Sequence, residues 1–258
     1  MSTQYPVILV HGIMLKDWKF IKAFGQIQRI LEAQGHVVST APMDGFGSIE
    51  NNAQQLKDHI LQVLATTGKD KVNLICHSKG GLDTRYMIDR LEMGEHVASV
   101  TFLCTPHKGS KTATKLYALP KFIRFWVALW LTVAYRLFGD QKPEVLKVCQ
   151  QLSYAPDGVL EDLHHDSIFM QSYATTMEKS RDDFVMGIPL YFSRRFEKSP
   201  TDGIVSEESA QYGNYQGHCI DASVSHSEIV DFMVGKQKKD KIYGFYIALC
   251  QDLAERGY

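Results

Sequence analysis

Three short, largely apolar runs constrain this chain more than any other feature: Val7 to Val10 (VILV), Val72 to Cys76 (VNLIC) and Val97 to Cys104 (VASVTFLC). A strand that is apolar on both faces belongs in the middle of a sheet covered on both sides. Between these runs the period changes. Phe20, Ile21, Phe24, Ile27, Ile30 and Leu31 mark one helical face that stops at Gly35. Ile49, Ala53, Leu56, Ile60, Leu61 and Leu64 mark another, which ends at Gly68, and Gly80 to Leu91 reads as a third helix. His36 to Thr40 is a short β-branched strand. Strands alternating with helices predict an α/β protein with a mostly parallel central sheet flanked by helices.

The second half loses this rhythm. Ser110 to about Asp183 is aromatic-rich, reads as helical and is interrupted by Pro120, Pro143 and Pro156. Gly187 to Phe192 (GIPLYF) reads as a late strand, and Lys238 to Arg256 as a C-terminal helix. The expectation is one domain over 1–258, with a helical cap or lid insertion over 110–185. Within it, the uncharged run Phe125 to Tyr135 has 11 residues between Arg124 and Arg136. As helix it spans about 16 Å, short of the roughly 20 residues a membrane span needs. It fits a buried helix, a helix lying in a lipid interface, or a movable cover.

Composition removes several function classes. Of 258 residues, 45% are hydrophobic and 22% charged, which excludes a disordered chain. With 28 Lys+Arg against 29 Asp+Glu there is no basic footprint for nucleic acid. The five cysteines form no CxxC pair and are too few and too odd for a disulfide framework. No basic region precedes an apolar stretch at the N-terminus, so a cytoplasmic protein is expected, although a secreted mature form reads the same.

The chemistry concentrates where strands end. After Val72 to Cys76 comes His77-Ser78-Lys79-Gly80-Gly81 and then a helix. A serine at the apex of a strand–turn–helix, with glycines where backbones pass closely, is the setting of a nucleophile elbow. The usual pattern is G-x-S-x-G, and Cys76 stands at its first position. Ser78 as an ordinary helix N-cap is the alternative. The first strand ends at His11-Gly12-Ile13, where such a fold supplies one backbone N–H to an oxyanion hole; the second is that of Lys79. An orienting acid and a base should follow in chain order. Asp202, in Thr201-Asp202-Gly203, is the candidate acid, with a surface Asp-Gly turn as its alternative. His226 and His218 are both candidate bases, and His226, in Val224-Ser-His-Ser-Glu-Ile229 before an apolar helix start, is preferred. His107, His164 and His165 precede Asp202 and are read as structural or exposed.

YPVILVHG at 5–12, HSKGGLDTRY at 77–86, SVTFLCTPHKGS at 99–110 and DGIV at 202–205 together resemble the bacterial triacylglycerol lipases of the α/β-hydrolase superfamily, in the pseudomonad and Burkholderia group. The resemblance is close over the first 110 residues and looser at the acid and histidine loops. It implies an α/β-hydrolase fold and a carboxylic ester hydrolase working through an acyl-enzyme. Ser78 would be the nucleophile, Asp202 the acid, His226 the base, and Ile13 and Lys79 the oxyanion donors. Many of those lipases carry a structural Ca²⁺ near the histidine loop, with an Asp two residues after the base. Glu228 stands there in this chain, so no essential metal and no cofactor are expected. The expected substrate is an acyl ester or lipid, with transient contact to a lipid interface. Acyl transfer, phospholipase action and lipid binding without turnover are the competing readings.

Phe122, Phe125, Trp126, Leu129, Trp130 and Val133 recur at helical spacing after the strand ending at Cys104. Insertions at the carboxyl ends of strands lie above the catalytic serine in open α/β sheets. Leu116 to Phe138 is therefore expected to form a lid over Ser78 with these aromatics, Phe122, Trp126 and Trp130 among them, on its inner face.

Overall fold

The computed structural model describes residues 1–13, 22–179, 183, 186, 190–191, 194 and 199–258. Among these residues six strands form one sheet in the order β2-β1-β3-β4-β5-β6, every neighbouring pair parallel: β1 (Val7–Val10), β2 (Val38–Thr40), β3 (Val72–His77), β4 (Val97–Leu103), β5 (Phe169–Ala174) and β6 (Asn214–His218). The chain starts one strand in from an edge at β1, steps out to β2 at that edge, then returns past β1 and proceeds to the opposite edge.

The three apolar runs are the sheet's interior. β1, β3 and β4 are buried along their whole length, and alternate side chains feed two cores. Val7 and Leu9 join Ile75 and Leu103 on one face, against Phe24, Ile27 and Leu31 of the α1 region (Ile27–Ala33) and Ile242, Tyr246 and Leu249 of the C-terminal helix. Ile8 and Val10 join Leu74, Val100 and Phe102 on the other, against Ala53, Leu56, Ile60 and Leu64 of α2 (Ile49–Thr67) and Met87 and Ile88 of α3 (Lys79–Arg90). The period of two along each strand and 3.6 along each helix thus meet in two layers.

Two strands arise where the sequence predicts none. β5 lies inside the segment expected to be helical insertion over 110–185, which corrects that boundary. Its pattern FMQSYA hides it because Gln171 and Ser172 are buried polar residues: Gln171 Nε2 donates to Thr101 Oγ1 (3.1 Å) and Ser172 Oγ to the Tyr212 carbonyl (2.7 Å). β6 is an exposed edge containing Gly217 at φ 92°, and it takes in the candidate base His218. The expected strand Gly187 to Phe192 lies largely outside the described residues, where only Leu190 and Tyr191 are described, both helical.

Between β4 and β5 come α4 (Lys111–Tyr117), α5 (Lys121–Leu137) and α6 (Val145–Gln151). Pro120 breaks the first two, which meet at 109°. Among the described residues no single helix is long and apolar enough to cross a membrane. Of α5 only Ala128 is buried, so the fully buried placement of this helix does not hold. Its base is fixed by a reciprocal clasp. Asp140 accepts the N–H groups of Gly45 and Phe46, both at 2.9 Å, while Asp44 accepts those of Gln141 and Lys142, both at 2.8 Å. After β5 come a short turn of helix, α7 (Glu207–Ala210), then β6 and the long α8 (Lys236–Glu255).

Candidate active site

Ser78 joins β3 to α3 with φ 55° and ψ −133°. For a residue with a Cβ this is a strained conformation, worth on the order of 1–3 kcal/mol, and it holds only where the surroundings enforce it. Two glycines are what let α3 lie so close. A Cβ on Gly80 would stand 2.5 Å from the His11 carbonyl oxygen and 2.7 Å from that of Val10. One on Gly81 would stand 2.1 Å from Thr105 Oγ1. Cys76, buried where the usual pattern has glycine, lays its Sγ 3.1 Å from Thr84 Oγ1. Burial pushes its thiol up to about 12, so it packs as a neutral group.

His226 follows β6 and Asp202 follows β5, so both loops open at the same carboxyl edge of the sheet as Ser78. His226 Nε2 lies 2.8 Å from Ser78 Oγ, and His226 Nδ1 lies 2.6 Å from Asp202 Oδ2. A carboxylate only accepts, so Nδ1 carries the ring proton and Nε2 accepts from the serine hydroxyl. Asp202 is pinned in turn: its Oδ1 accepts from the N–H groups of Ile204 (3.0 Å) and Val205 (2.8 Å). Burial disfavours a charged ring at His226, but the Asp202 carboxylate outweighs it, and the imidazole's affinity for a proton is raised. An arrangement like this can pass a proton from a hydroxyl to a ring whose charge is balanced on its far side.

The main chain around His226 is held on both flanks. Its N–H donates to the Asp202 carbonyl at 3.0 Å, and its carbonyl accepts from His77 Nε2 at 2.9 Å. His77 is a brace that sequence reasoning missed, although a histidine ending a buried apolar strand was the visible signal. Burial, with His226 close by, lowers its pKa well below the usual imidazole value and keeps it neutral. Asp183 was missed too. Its Oδ2 accepts from Ser227 Oγ at 3.0 Å and, through a very short contact, from Ser225 Oγ, so it grips both residues beside the histidine.

Lys79 follows the serine directly, and Gly12, the residue before Ile13, comes up against it. Gly12 passes so near that a Cβ there would be 2.6 Å from Ser78 Cβ and 3.0 Å from the Lys79 nitrogen. Lys79 opens α3, where a helix leaves its first N–H groups without intrahelical partners. Its side chain turns inward instead. Lys79 Nζ meets Asp83 Oδ1 at 2.6 Å, both fully buried, and Asn52 Nδ2 donates to Asp83 Oδ2 at 3.2 Å. Burial lowers the ammonium's pKa and pushes the carboxyl up to about 6, with their mutual attraction opposing both shifts.

The remaining candidates go elsewhere. His218 Nε2 faces Glu207 Oε1 at 3.3 Å on the sheet edge. His107 stacks on Tyr212 and accepts from Arg85 at 3.0 Å. Phe122, Trp126 and Trp130, expected on an inner face over Ser78, lie on the exposed side of α5. The face toward the body is made by Ala128 and by the half-buried Arg124, Leu131 and Tyr135.

Neither metal possibility suits the residues present. Glu228 gives both carboxylate oxygens to Lys238 Nζ, at 2.8 Å each, and accepts the Ser225 N–H at 3.0 Å. A lysine ammonium therefore occupies the carboxylate that a Ca²⁺ would need. Among the described residues one trio, Cys104, Asp202 and His226, has ligand atoms within 4.8 Å of one another. Its donors are committed: the Asp202 and His226 atoms serve each other and the loop. A hydrogen bond with Cys219 and burial push the Cys104 thiol well above its usual range, so it stays protonated.

A parallel sheet of this order, with a strained serine after its third strand and an acid and a histidine after its last two, defines an α/β-hydrolase fold. The solved lipase of Staphylococcus hyicus has the same fold, with a TM-score of 0.68, 14% identity, and coverage of 98% of this chain and 97% of that one. The chain belongs to the palmitoyl protein thioesterase family, whose model matches residues 6–176. It is 44% identical over 118 residues to a triacylglycerol lipase of Pseudarthrobacter phenanthrenivorans, covering 43% of this chain and 36% of that protein. It is 26% identical over 263 residues to triacylglycerol lipase 2 of Saccharomyces cerevisiae, covering 90% of this chain and 73% of that protein. The match thus spans about a third of the length of the bacterial lipase relative.

Proposed function

We propose that this chain is a serine hydrolase of acyl esters, with Ser78 as nucleophile, His226 as general base and Asp202 as orienting acid. The observation that carries this reading is the continuous relay from Ser78 Oγ through His226 to Asp202, at 2.8 and 2.6 Å. In the first step His226 Nε2 takes the hydroxyl proton as Ser78 Oγ attacks the ester carbonyl. The oxyanion is held by the N–H groups of Ile13 and Lys79, each contributing about 10²–10³ in rate. The same imidazolium returns the proton to the departing alkoxide, leaving an acyl-serine. Water, deprotonated by His226, then attacks the acyl-serine; the acid departs and Ser78 regains its proton.

Lipid esters are the favoured substrates, in keeping with the lipase relatives. Acyl thioesters are the second reading, favoured by the family whose model matches two-thirds of the chain. The chemistry is unchanged except that a thiolate leaves. Acyl transfer or phospholipase action would use the same relay with a different acceptor or substrate. Lipid binding without turnover would leave the relay without purpose.

A fluorophosphonate probe followed by peptide mass spectrometry tests the reading, alongside a p-nitrophenyl ester series of increasing chain length and a matched acyl thioester. Labelling at Ser78 with ester turnover is the expected result. Labelling without hydrolysis of either substrate would point to a transferase, and no labelling to a binding protein.

A further inference from the structure

We infer that α5 is a fixed docking helix for an anionic lipid bilayer, lying in the plane of the membrane surface. This inference stands independently of the hydrolase reading. α5 carries Phe122, Trp126, Trp130, Val133 and Leu137 at spacings of four, four, three and four, one stripe down a helix. Phe122 is 73% exposed, Trp130 70% and Leu137 78%, which is far outside what a helix covered by its own protein shows. Over its 17 residues the helix runs about 25 Å, so the stripe is a continuous apolar edge rather than scattered single side chains. Two tryptophans and a phenylalanine on that edge suit the headgroup boundary, where an aromatic ring is half wet and half dry.

Charge selects the occupant. From Lys111 to Gly139 the sequence contains Lys111, Lys115, Lys121, Arg124 and Arg136 and no acidic residue. Arg124 is used within the protein: it donates to the Tyr117 carbonyl at 2.5 Å and stacks over the Tyr117 ring, fixing the elbow between α4 and α5. Lys121 and Arg136 stand exposed at the two ends of α5. A protein partner's apolar groove would match the stripe alone. A negatively charged lipid surface matches both stripe and cations, since basic residues within a Debye length of such a surface are attracted to it.

The mount explains why the helix is a platform. Its N-terminal end is set by the Arg124–Tyr117 elbow, and its C-terminal end by the clasp between Asp140 and the Gly45–Phe46 main chain and between Asp44 and the Gln141–Lys142 main chain. The apolar edge is therefore presented outward while both ends remain tied to the body.

The test is flotation of the intact protein with vesicles of phosphatidylcholine alone and of phosphatidylcholine with about a third phosphatidylserine, at low and high salt. Tryptophan emission and circular dichroism melts are read in parallel. The expected result is at least about tenfold more protein on the anionic vesicles at low salt, with a blue shift in emission, and loss of most of that excess at about 0.5 M NaCl, where the Debye length falls to a few ångströms. Trp130→Glu should cut binding at least about tenfold with an unchanged melt, because the side chain is exposed. Lys121→Glu/Arg136→Glu should abolish the preference for anionic vesicles. Equal flotation with both vesicle types would overturn the anionic assignment. Failure to float with either, wild-type binding by a well-folded Trp130→Glu, or self-association through this face in place of vesicle binding would overturn the proposal outright.

Discussion

Lys238 Nζ sits 2.8 Å from each carboxylate oxygen of Glu228, and through Glu228 it reaches the backbone of Ser225, immediately before His226. Lys238 is in the first turn of α8, so the C-terminal helix is wired to the histidine loop by an internal ammonium. Metal chelation should therefore change neither activity nor melting temperature. Lys238→Met, by contrast, leaves a nearly buried carboxylate uncompensated. Full burial of both partners would make that loss about 3–5 kcal/mol. Lys238 is a quarter exposed, so the expected loss is about 1–3 kcal/mol. A fall in melting temperature with EDTA, or a neutral Lys238→Met, would contradict this account.

The two candidate histidines should separate cleanly. His226→Ala is expected to lower kcat by several orders of magnitude while the circular dichroism melt stays near wild type. His218→Ala removes a half-exposed contact with Glu207 and should leave kcat within a factor of about two. Ester hydrolysis by both purified variants decides the matter.

The pH profile follows from the direction of the His226 shift. In the proposed mechanism His226 acts as the base and must be neutral, so activity is expected to fall as pH drops through its pKa. The Asp202 carboxylate raises that pKa against the effect of burial. In Asp202→Asn the raising charge is gone, and the acid limb of kcat/KM should move to lower pH. Rate at the plateau should fall by about 10⁴, because the amide no longer enforces the working tautomer. An acid limb that stays in place would mean another group controls it.

Gly80→Ala tests the close approach of α3 to β1. Its new methyl group would meet main-chain carbonyl oxygens of His11 and Val10 at 2.5 and 2.7 Å, which cannot swing aside as a side chain can. A destabilisation of at least about 1–3 kcal/mol is expected, with kcat lowered in the fraction that folds. Denaturant titration measures the first and active-site labelling corrects the second.

The central strands and the residues that meet in the candidate site were readable for a common reason. β1, β3 and β4 are covered on both faces, so they are written as largely apolar runs, and Ser78 stands at the turn after one of them. Asp202 and His226 were readable because each sits in a polar loop at a fixed place in chain order. β5 was not, because its inward residues Gln171 and Ser172 are polar and satisfied only by Thr101 and Tyr212, far away in sequence. The supports of His226 were hidden likewise: His77, Asp183 and Lys238 reach it across 149, 43 and 12 positions, counted from the numbering. The buried Lys79–Asp83 pair was hidden as well, since an i,i+4 pair of charges on a helix is as easily an exposed one. The aromatic stripe of α5 was legible as a stripe, but periodicity gives the faces of a helix without saying which of them meets the protein.

The Asp44–Asp140 clasp has an evolutionary consequence. Its acceptors are two aspartates outside α5, and its donors are main-chain N–H groups that any residue except proline provides. The joint therefore places few demands on the identity of the residues between Lys121 and Leu137, apart from Tyr135, whose ring meets Phe46 edge-on. Such a helix behaves as an exchangeable cassette. Its outer residues can drift, be recoded or be transplanted from a relative while the relay behind them keeps its geometry. On the docking reading, the surface that the protein meets can thus change without disturbing the geometry of the relay.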